Sequence, residues 1–354
     1  MFEPTPLELN TIISLANQLT ICPSDEPDAF CKLAKTLSKE LPDRLKQTLS
    51  GFINVGIETE FLLIDGLASI MGPIADTPSN NSCKVGEKTT LAKIQAICVS
   101  YMGEMIAYEA EGYGRLFQDV VPTQCMEKEQ TSLGSNAELE IHTEQAFSDL
   151  KPDILSLACL RGDPVALTYV LPVKTILENI TADEALLLRQ PLWKTGVDLS
   201  FKLHLFSLKT PSSLAVMSER GDADCASLKQ MRNCIDGHEF QKGDVRGPMS
   251  ILSGNLARPT LTFDQDLMHG LTRKSNDMIK KIVDIYYKHR VWHNLKPGQI
   301  MFIDNRHAVH GRSPFFPKYD GLDRFLIRCF ATINYMKSNY ARPYGSHTVS
   351  AIYS

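Results

Sequence analysis

The sequence lacks any pairing pattern among its cysteines. Nine occur, an odd number, at 22, 31, 83, 98, 125, 159, 225, 234 and 329, and no Cys-x-x-Cys is present. Neither a disulfide scaffold nor a zinc knuckle is indicated, and reduced, mostly structural thiols in a cytoplasm are expected. Long apolar runs are missing as well. None reaches the ~20 residues of a membrane span, and the opening MFEPTPLELN has no basic-then-apolar signal pattern, so no membrane partner is expected. Strong charge of one sign is absent too: the net charge is −4 and the pI is near 6.2, which argues against a dedicated nucleic-acid binder. No internal repeat or low-complexity tract interrupts the chain. What is there is 354 residues, 43% apolar and 22% charged, ample for a sizeable core in one large domain or two ordinary ones.

The first ~50 residues are helical in character, because Phe30, Leu33, Leu37, Leu41 and Leu45 recur at spacings of three and four. Strand-like INVGIETEFLLI follows at 53–64, then a loop over 77–90 and a helix over 91–107. From about Gly114 the texture changes to short β segments, with helices inserted near 172–190 and 267–289. Many short strands with long excursions suit a closed or sandwiched β core wrapped by helices. A doubly wound parallel sheet would alternate strand and helix more regularly. The polar stretch 208–247 is too long for a simple connector and reads as a lid.

Chemistry first surfaces in LEIHTEQAF, residues 139–147. On a strand, His142 and Glu144 point to the same face. Alone, the pair could be a surface or interface feature. A second histidine in a comparable setting lies in QIMFIDNRHAVHGRSPF (299–315), where His310 precedes Gly311-Arg312 and His307 is a rival three residues earlier. Two histidines and one carboxylate on one face of a divalent ion leave adjacent positions open, the arrangement of non-haem Fe(II) that binds a co-substrate and O2. Further on, Arg324 and Arg328 share a face of the next strand. They could be solvated edge arginines, but a run as apolar as FLIRCFATI favours inward carboxylate partners.

These blocks resemble the clavaminate synthase-like group of Fe(II)/2-oxoglutarate oxygenases, which includes asparagine, arginine and lysine hydroxylases. The resemblance spans roughly 100–335. It rests on GRLFQDVVP, on SLGSNAELEIHTEQAFSDLKPDILSLACLRGD, on DNRHAVHGRSPF and on YDGLDRFLIRCF. It implies an α+β fold, a distorted double-stranded β-helix (jelly-roll, cupin-like) flanked by helices. The expected organisation is a single oxygenase domain over 1–354, with a mainly helical layer over 1–110 and the core over 111–335. It also implies His142, Glu144 and His310 as iron ligands, since the group places the distal histidine directly before Gly-Arg. Arg324, 14 residues after His310, and Thr168 would hold the distal carboxylate of 2-oxoglutarate. Ser132 and Arg328 would hold an amino acid's carboxylate, and Glu111, with Glu109 as near-equal, its α-amino group.

Asp264 and Asp266, in TLTFDQDLM, are two apart and share a face. Asp266 could cap a helix starting near Leu267, which leaves Asp264. In the resembled group acidic residues here meet the far end of the substrate, and a double aspartate looks like the version facing a guanidinium. The reading is therefore a hydroxylase of a free basic amino acid, arginine ahead of lysine, that couples O2 reduction and 2-oxoglutarate decarboxylation to C–H hydroxylation. A neutral amino acid such as asparagine, or desaturation or cyclisation on the same scaffold, is the alternative. A zinc hydrolase would leave the two arginines unexplained, and a cupin-like binding protein would show no substrate-stimulated turnover.

Overall fold

A computed structural model describes residues 1–198, 201 and 245–353. Of the stretch 208–247, only 245–247 fall among the described residues, and they open a strand; the rest lies outside them.

Helix Pro6–Gln18 starts at a Thr5/Glu8 capping box, and helices Pro27–Ser38 and Asp43–Asn54 follow. The apolar stripe from Phe30 to Leu45 thus belongs to two helices. The break falls ahead of Pro42, which has no N–H to continue the first. Helix Thr90–Met102 stops ahead of Gly103, five residues before the expected end. A Cβ at Gly103 would sit 2.7 Å from the Thr332 carbonyl oxygen, so the chain passes too close to a strand to stay helical.

The strands in chain order are β1 (Phe61–Ile64), β2 (Glu104–Tyr108), β3 (Phe117–Val120), β4 (Leu139–His142), β5 (Ile154–Arg161), β6 (Leu167–Pro172), β7 (Trp193–Gly196) and β8 (Val245–Met249). They continue with β9 (Leu252–Ser253), β10 (Thr260–Leu261), β11 (Met268–Gly270), β12 (Val291–Asn294), β13 (Ile300–Asp304), β14 (Ala308–Arg312), β15 (Phe325–Thr332) and β16 (Thr348–Val349). A seven-stranded sheet runs β1-β13-β5-β15-β2-β16, with β3 also on β15, and a four-stranded sheet runs β12-β6-β14-β4. Every pairing in these two sheets is antiparallel except β16 on β2. Since β1 and β2 precede residue 111 and β16 follows 335, the large sheet extends beyond the expected 111–335 core on both sides. The helix expected over 172–190 is two short ones, Val173–Glu178 and Ala182–Leu188. That expected from Leu267 begins at Arg273, behind a Thr272 cap, because 268–270 pair with β7.

Side-chain alternation sorts the core into layers. On β15, Phe325, Ile327, Cys329 and Ala331 pack with the N-terminal helices. Leu326 and Phe330 face the other way, into a core shared with Val170 of β6 and Ala308 of β14. The opposite face of the small sheet, with Ile141, Tyr169, Leu171 and Val309, packs on helix Arg273–His289 through Met278, Ile282, Ile285 and Tyr286. Gly311 marks the tightest point of that packing: a Cβ there would lie 2.7 Å from the Leu139 oxygen and 3.0 Å from the Tyr286 hydroxyl. Gly311→Ala is expected to lower stability by about 1–3 kcal/mol through overpacking, read as a lower urea midpoint.

Candidate metal centre and substrate cavity

The same alternation aims Arg328 on β15, Arg324 just ahead of it, Thr168 on β6, and His310 and Arg312 on β14 into one cavity of about 520 Å³ between the sheets. β14 lies between β6 and β4, so His310 stands directly opposite His142, and their ring centroids are 4.5 Å apart. Glu144 joins them from just beyond the end of β4. Ligand atoms of His142, Glu144 and His310 all lie within 4.8 Å of one another. His307 is turned away, its Nδ1 2.9 Å from the Pro259 oxygen, as expected of an odd-numbered residue beside a strand whose even positions face the cavity.

The donor set fits a divalent ion. His142 Nδ1 lies 2.8 Å from the Glu140 carbonyl, an arrangement that leaves Nε2 free toward the cavity. His310 Nε2 is 3.3 Å from Glu144 Oε2, and His310 Nδ1 is buried without a hydrogen-bond partner among the described residues. Burial, and after it the neighbouring His142, pushes His310 below the ordinary histidine range, toward the neutral form a ligand needs. Burial opposes ionisation of Glu144, but Arg328 and the two imidazoles outweigh it and hold the carboxyl below its usual range.

Arg328 is buried and engaged on three sides. Nη1 donates to Glu144 Oε1 at 2.9 Å, Nε to Gln118 Oε1 at 3.1 Å, and Nη2 to Glu111 and Gln118. Glu111 also accepts from Gln145 Nε2 at 2.7 Å. Burial pushes the Glu111 carboxyl up, against the pull of Arg328. Glu109, the near-equal candidate from sequence, also borders the cavity, but it is exposed and its carboxylate accepts from Ser350 Oγ and the Ala351 N–H.

Arg324 is buried yet pairs with no carboxylate among the described residues. Burial pushes it down to about 10, and burial together with Arg324 itself pushes Arg312 down to about 9. Two desolvated guanidinium groups lining one cavity, each raising the cost of the other's charge, favour an anion there. Thr168 lies across from Arg312 on the ladder, and Ser132 lines the same cavity. Arg312, which the sequence reading quoted but gave no role, donates to the carbonyls of Gly134, Ala137 and Ser313 and so fixes the loop carrying Ser132. Its signals in sequence are the spacing of two from His310 and its place in the Gly-Arg pair that follows that histidine.

On the opposite side, residues 261–265 run along the end of β4. Thr143 N donates to the Phe263 oxygen, Gln265 N to the Ile141 oxygen, and His142 and Asp264 form a bridge. Continuing that register sets Asp266 against Glu140, and all three carboxylates line the cavity. Asp264 Oδ1 accepts from Leu267 N at 2.7 Å, so the backbone-capping role considered for Asp266 belongs to Asp264, and to a turn instead of a helix. Burial raises Asp264 to about 6, opposed by His142 and that N–H. Burial, then the charges of Asp266 and Glu138, raises Glu140, which sequence reading missed. No Lys or Arg among the described residues pairs with Asp264 or Glu140.

Residues 239–330 match the family model described as taurine catabolism dioxygenase TauD, TfdA family. The chain is 39% identical over 350 residues to L-lysine 3-hydroxylase of Catenulispora acidiphila, covering 99% of this chain and 88% of that protein. It is 27% identical to L-asparagine oxygenase of Streptomyces coelicolor, over 95% and 90% of the two chains. Among solved structures, asparagine oxygenase in complex with Fe(II), 2S,3S-3-hydroxyasparagine and succinate superposes with a TM-score of 0.80 at 24% identity, over 98% of each chain. No helix among the described residues is long and apolar enough to cross a membrane. Identity at that level along nearly the whole chain, on a fold that gathers two histidines and a glutamate in one cavity, places this protein in the clavaminate synthase-like Fe(II)/2-oxoglutarate-dependent amino acid oxygenases.

Proposed function

We propose that this chain hydroxylates free L-lysine, as a single oxygenase domain whose two sheets form a distorted double-stranded β-helix. In this reading His142, Glu144 and His310 hold Fe(II). Arg324 and Thr168 hold the distal carboxylate of 2-oxoglutarate. Ser132 and Arg328 take the α-carboxylate of the amino acid, and Glu111 its α-ammonium. Asp264, Asp266 and Glu140 face the side-chain ammonium. Bound Fe(II) with 2-oxoglutarate supplies an O2-dependent oxidation that places a hydroxyl on an unactivated carbon and releases succinate and CO2. The chain's own groups bind, orient and keep water from the reacting carbon.

The observation that carries this reading is the polarity of the cavity. One end offers a buried Arg–Glu pair that a zwitterion can enter, its carboxylate going to Arg328 and its ammonium to Glu111. The other offers carboxylates, and no Lys or Arg among the described residues pairs with Asp264 or Glu140. Sequence reasoning ranks arginine before lysine on two aspartates. The third carboxylate reverses that order, because three acceptors converge on an ammonium's three donors better than on a planar fork. The 39% identity to a lysine hydroxylase points the same way.

The test loads Fe(II) anaerobically, adds 2-oxoglutarate and each of the twenty amino acids, admits O2 and reads succinate by mass spectrometry. Lysine should give the most, then arginine. Succinate from asparagine or leucine equal to that from lysine would remove the acidic wall from the argument. Asp264→Asn should lower kcat/KM for lysine by about 1.5–3 kcal/mol, the scale of a hydrogen bond to a charged group. Glu140→Gln should lower it by about tenfold, and neither change should matter much for a neutral analogue.

A further inference from the structure

Glu144 stands where the β ladder has already ended. β4 stops at His142, Thr143 is tied to Phe263, and Gln145 takes a left-handed φ of +54°. No strand among the described residues fixes the backbone of Glu144 between them. A single side chain does so instead. Asn305 Oδ1 accepts from the Glu144 N–H at 2.7 Å, and Asn305 Nδ2 donates to the Glu144 carbonyl at 3.2 Å and to the Pro152 carbonyl at 2.7 Å. Asn305 is fully buried, and its own N–H donates to the Asp153 oxygen at 3.0 Å. The amide therefore reproduces what a strand partner would give one residue, an acceptor for its N–H and a donor for its C=O.

Asn305 also lies on the turn between β13 and β14, five residues before His310. That turn is pinned from its other side. The Asp304 carboxylate accepts from Arg306 Nε at 2.8 Å, Arg306 Nη2 at 2.7 Å and Arg258 Nη2 at 3.1 Å. One residue thus joins the backbone of Glu144 to the turn that leads into the strand of His310. We infer that Asn305 is the positioning residue that aims the Glu144 carboxylate at the metal and sets its separation from His310, an inference that rests on reading His142, Glu144 and His310 as the ligands. Arg328, on Glu144 Oε1, finishes the aim from the side-chain end.

A merely structural Asn305 would stabilise the apo fold and leave metal binding by the folded protein unchanged. The two roles separate in an anaerobic titration of the full apo chain with Co(II) alone, followed by its visible ligand-field absorption. Asn305→Ala and Asn305→Asp should bind Co(II) about 10–100-fold more weakly than the unmodified chain, the range seen on loss of an outer partner of a metal ligand. Their band shapes should change, while the near-UV circular dichroism of the apo protein should not. Asn305→Asp keeps the volume and the acceptor for the Glu144 N–H but loses both donors, and it carries the test if Asn305→Ala does not fold. A folded variant with the unmodified chain's affinity and band shape overturns the inference. His310→Ala, run alongside, should lose tight binding outright; if it binds as well as the unmodified chain, the ligand assignment fails instead.

Discussion

Replacing His142, Glu144 or His310 by alanine should abolish both Fe(II) binding and succinate release, whereas His307→Ala should retain both. The three residues converge within 4.8 Å and there is no fourth His, Cys, Asp or Glu in that cluster among the described residues. Loss of one ligand leaves two protein groups to hold an ion that is also meant to keep open positions. The deficit should exceed the about 10–100-fold that an outer partner costs. Glu144→Ala has a second consequence, since Arg328 loses one of its two carboxylates at 2.9 Å. His307 is spared because its ring bonds to the Pro259 carbonyl on the far side of the strand. Equilibrium dialysis against Fe(II) and succinate by mass spectrometry check both halves. Full activity in His310→Ala would sink the assignment.

Arg324→Ala should raise the KM for 2-oxoglutarate far more than that for the amino acid, and Arg328→Ala should do the reverse. Arg324 is a desolvated cation with no carboxylate partner among the described residues, so the free protein bears its burial unrelieved until an anion arrives. Removing such a partner from a buried carboxylate costs about 2–5 kcal/mol, or roughly 30- to several-thousand-fold in KM. Arg328 is instead already matched by Glu111 and Glu144, and a zwitterion exchanges partners there without leaving a bare charge. Arg328→Ala strands those two carboxylates in the cavity, so the amino acid's carboxylate loses its cation and meets two unpaired negative charges. Steady-state kinetics with each substrate varied in turn give the answer. Swapped effects would reverse the reading of this strand.

What sequence made legible is what periodicity carries. The apolar run from Phe325 with two arginines at even positions announces a strand with one charged inner face, and the structure has it. His142 and Glu144 two apart, and a histidine before Gly-Arg, were visible as motifs, and the fold brings them together. Asn305, Arg312 and Glu140 stayed hidden for a common reason. Asn305 and Arg312 act on backbone carbonyls and N–H groups of segments distant in the chain, and Glu140 matters only because residues 261–266 lie alongside β4. Contacts to backbone leave no residue-type pattern in the partner, and one isolated bridge at Asp264 is too little ladder to show as a strand. The late start of helix Arg273–His289 has a similar origin, since pairing of 268–270 with β7 overrides local helical preference.

The parity of β15 bears on how the chain can change length over time. Arg324, just ahead of the strand, and Arg328, within it, both reach the cavity, and the interval of four between them is set by the strand's start. The segment ahead of it is another matter: Phe316 and Leu322 are exposed, Gly321 sits in a left-handed turn, and Asp323 closes that turn on the N–H groups of Lys318 and Tyr319. Residues gained or lost between 316 and 322 would lengthen or shorten an outer loop while β15 stayed in register with β5 and β3. The interval of 14 from His310 to Arg324 is therefore free to drift in descent, while the interval of four between the two arginines is not. An indel of one residue inside β15 would turn the cavity-facing side chains on one side of it toward the helices.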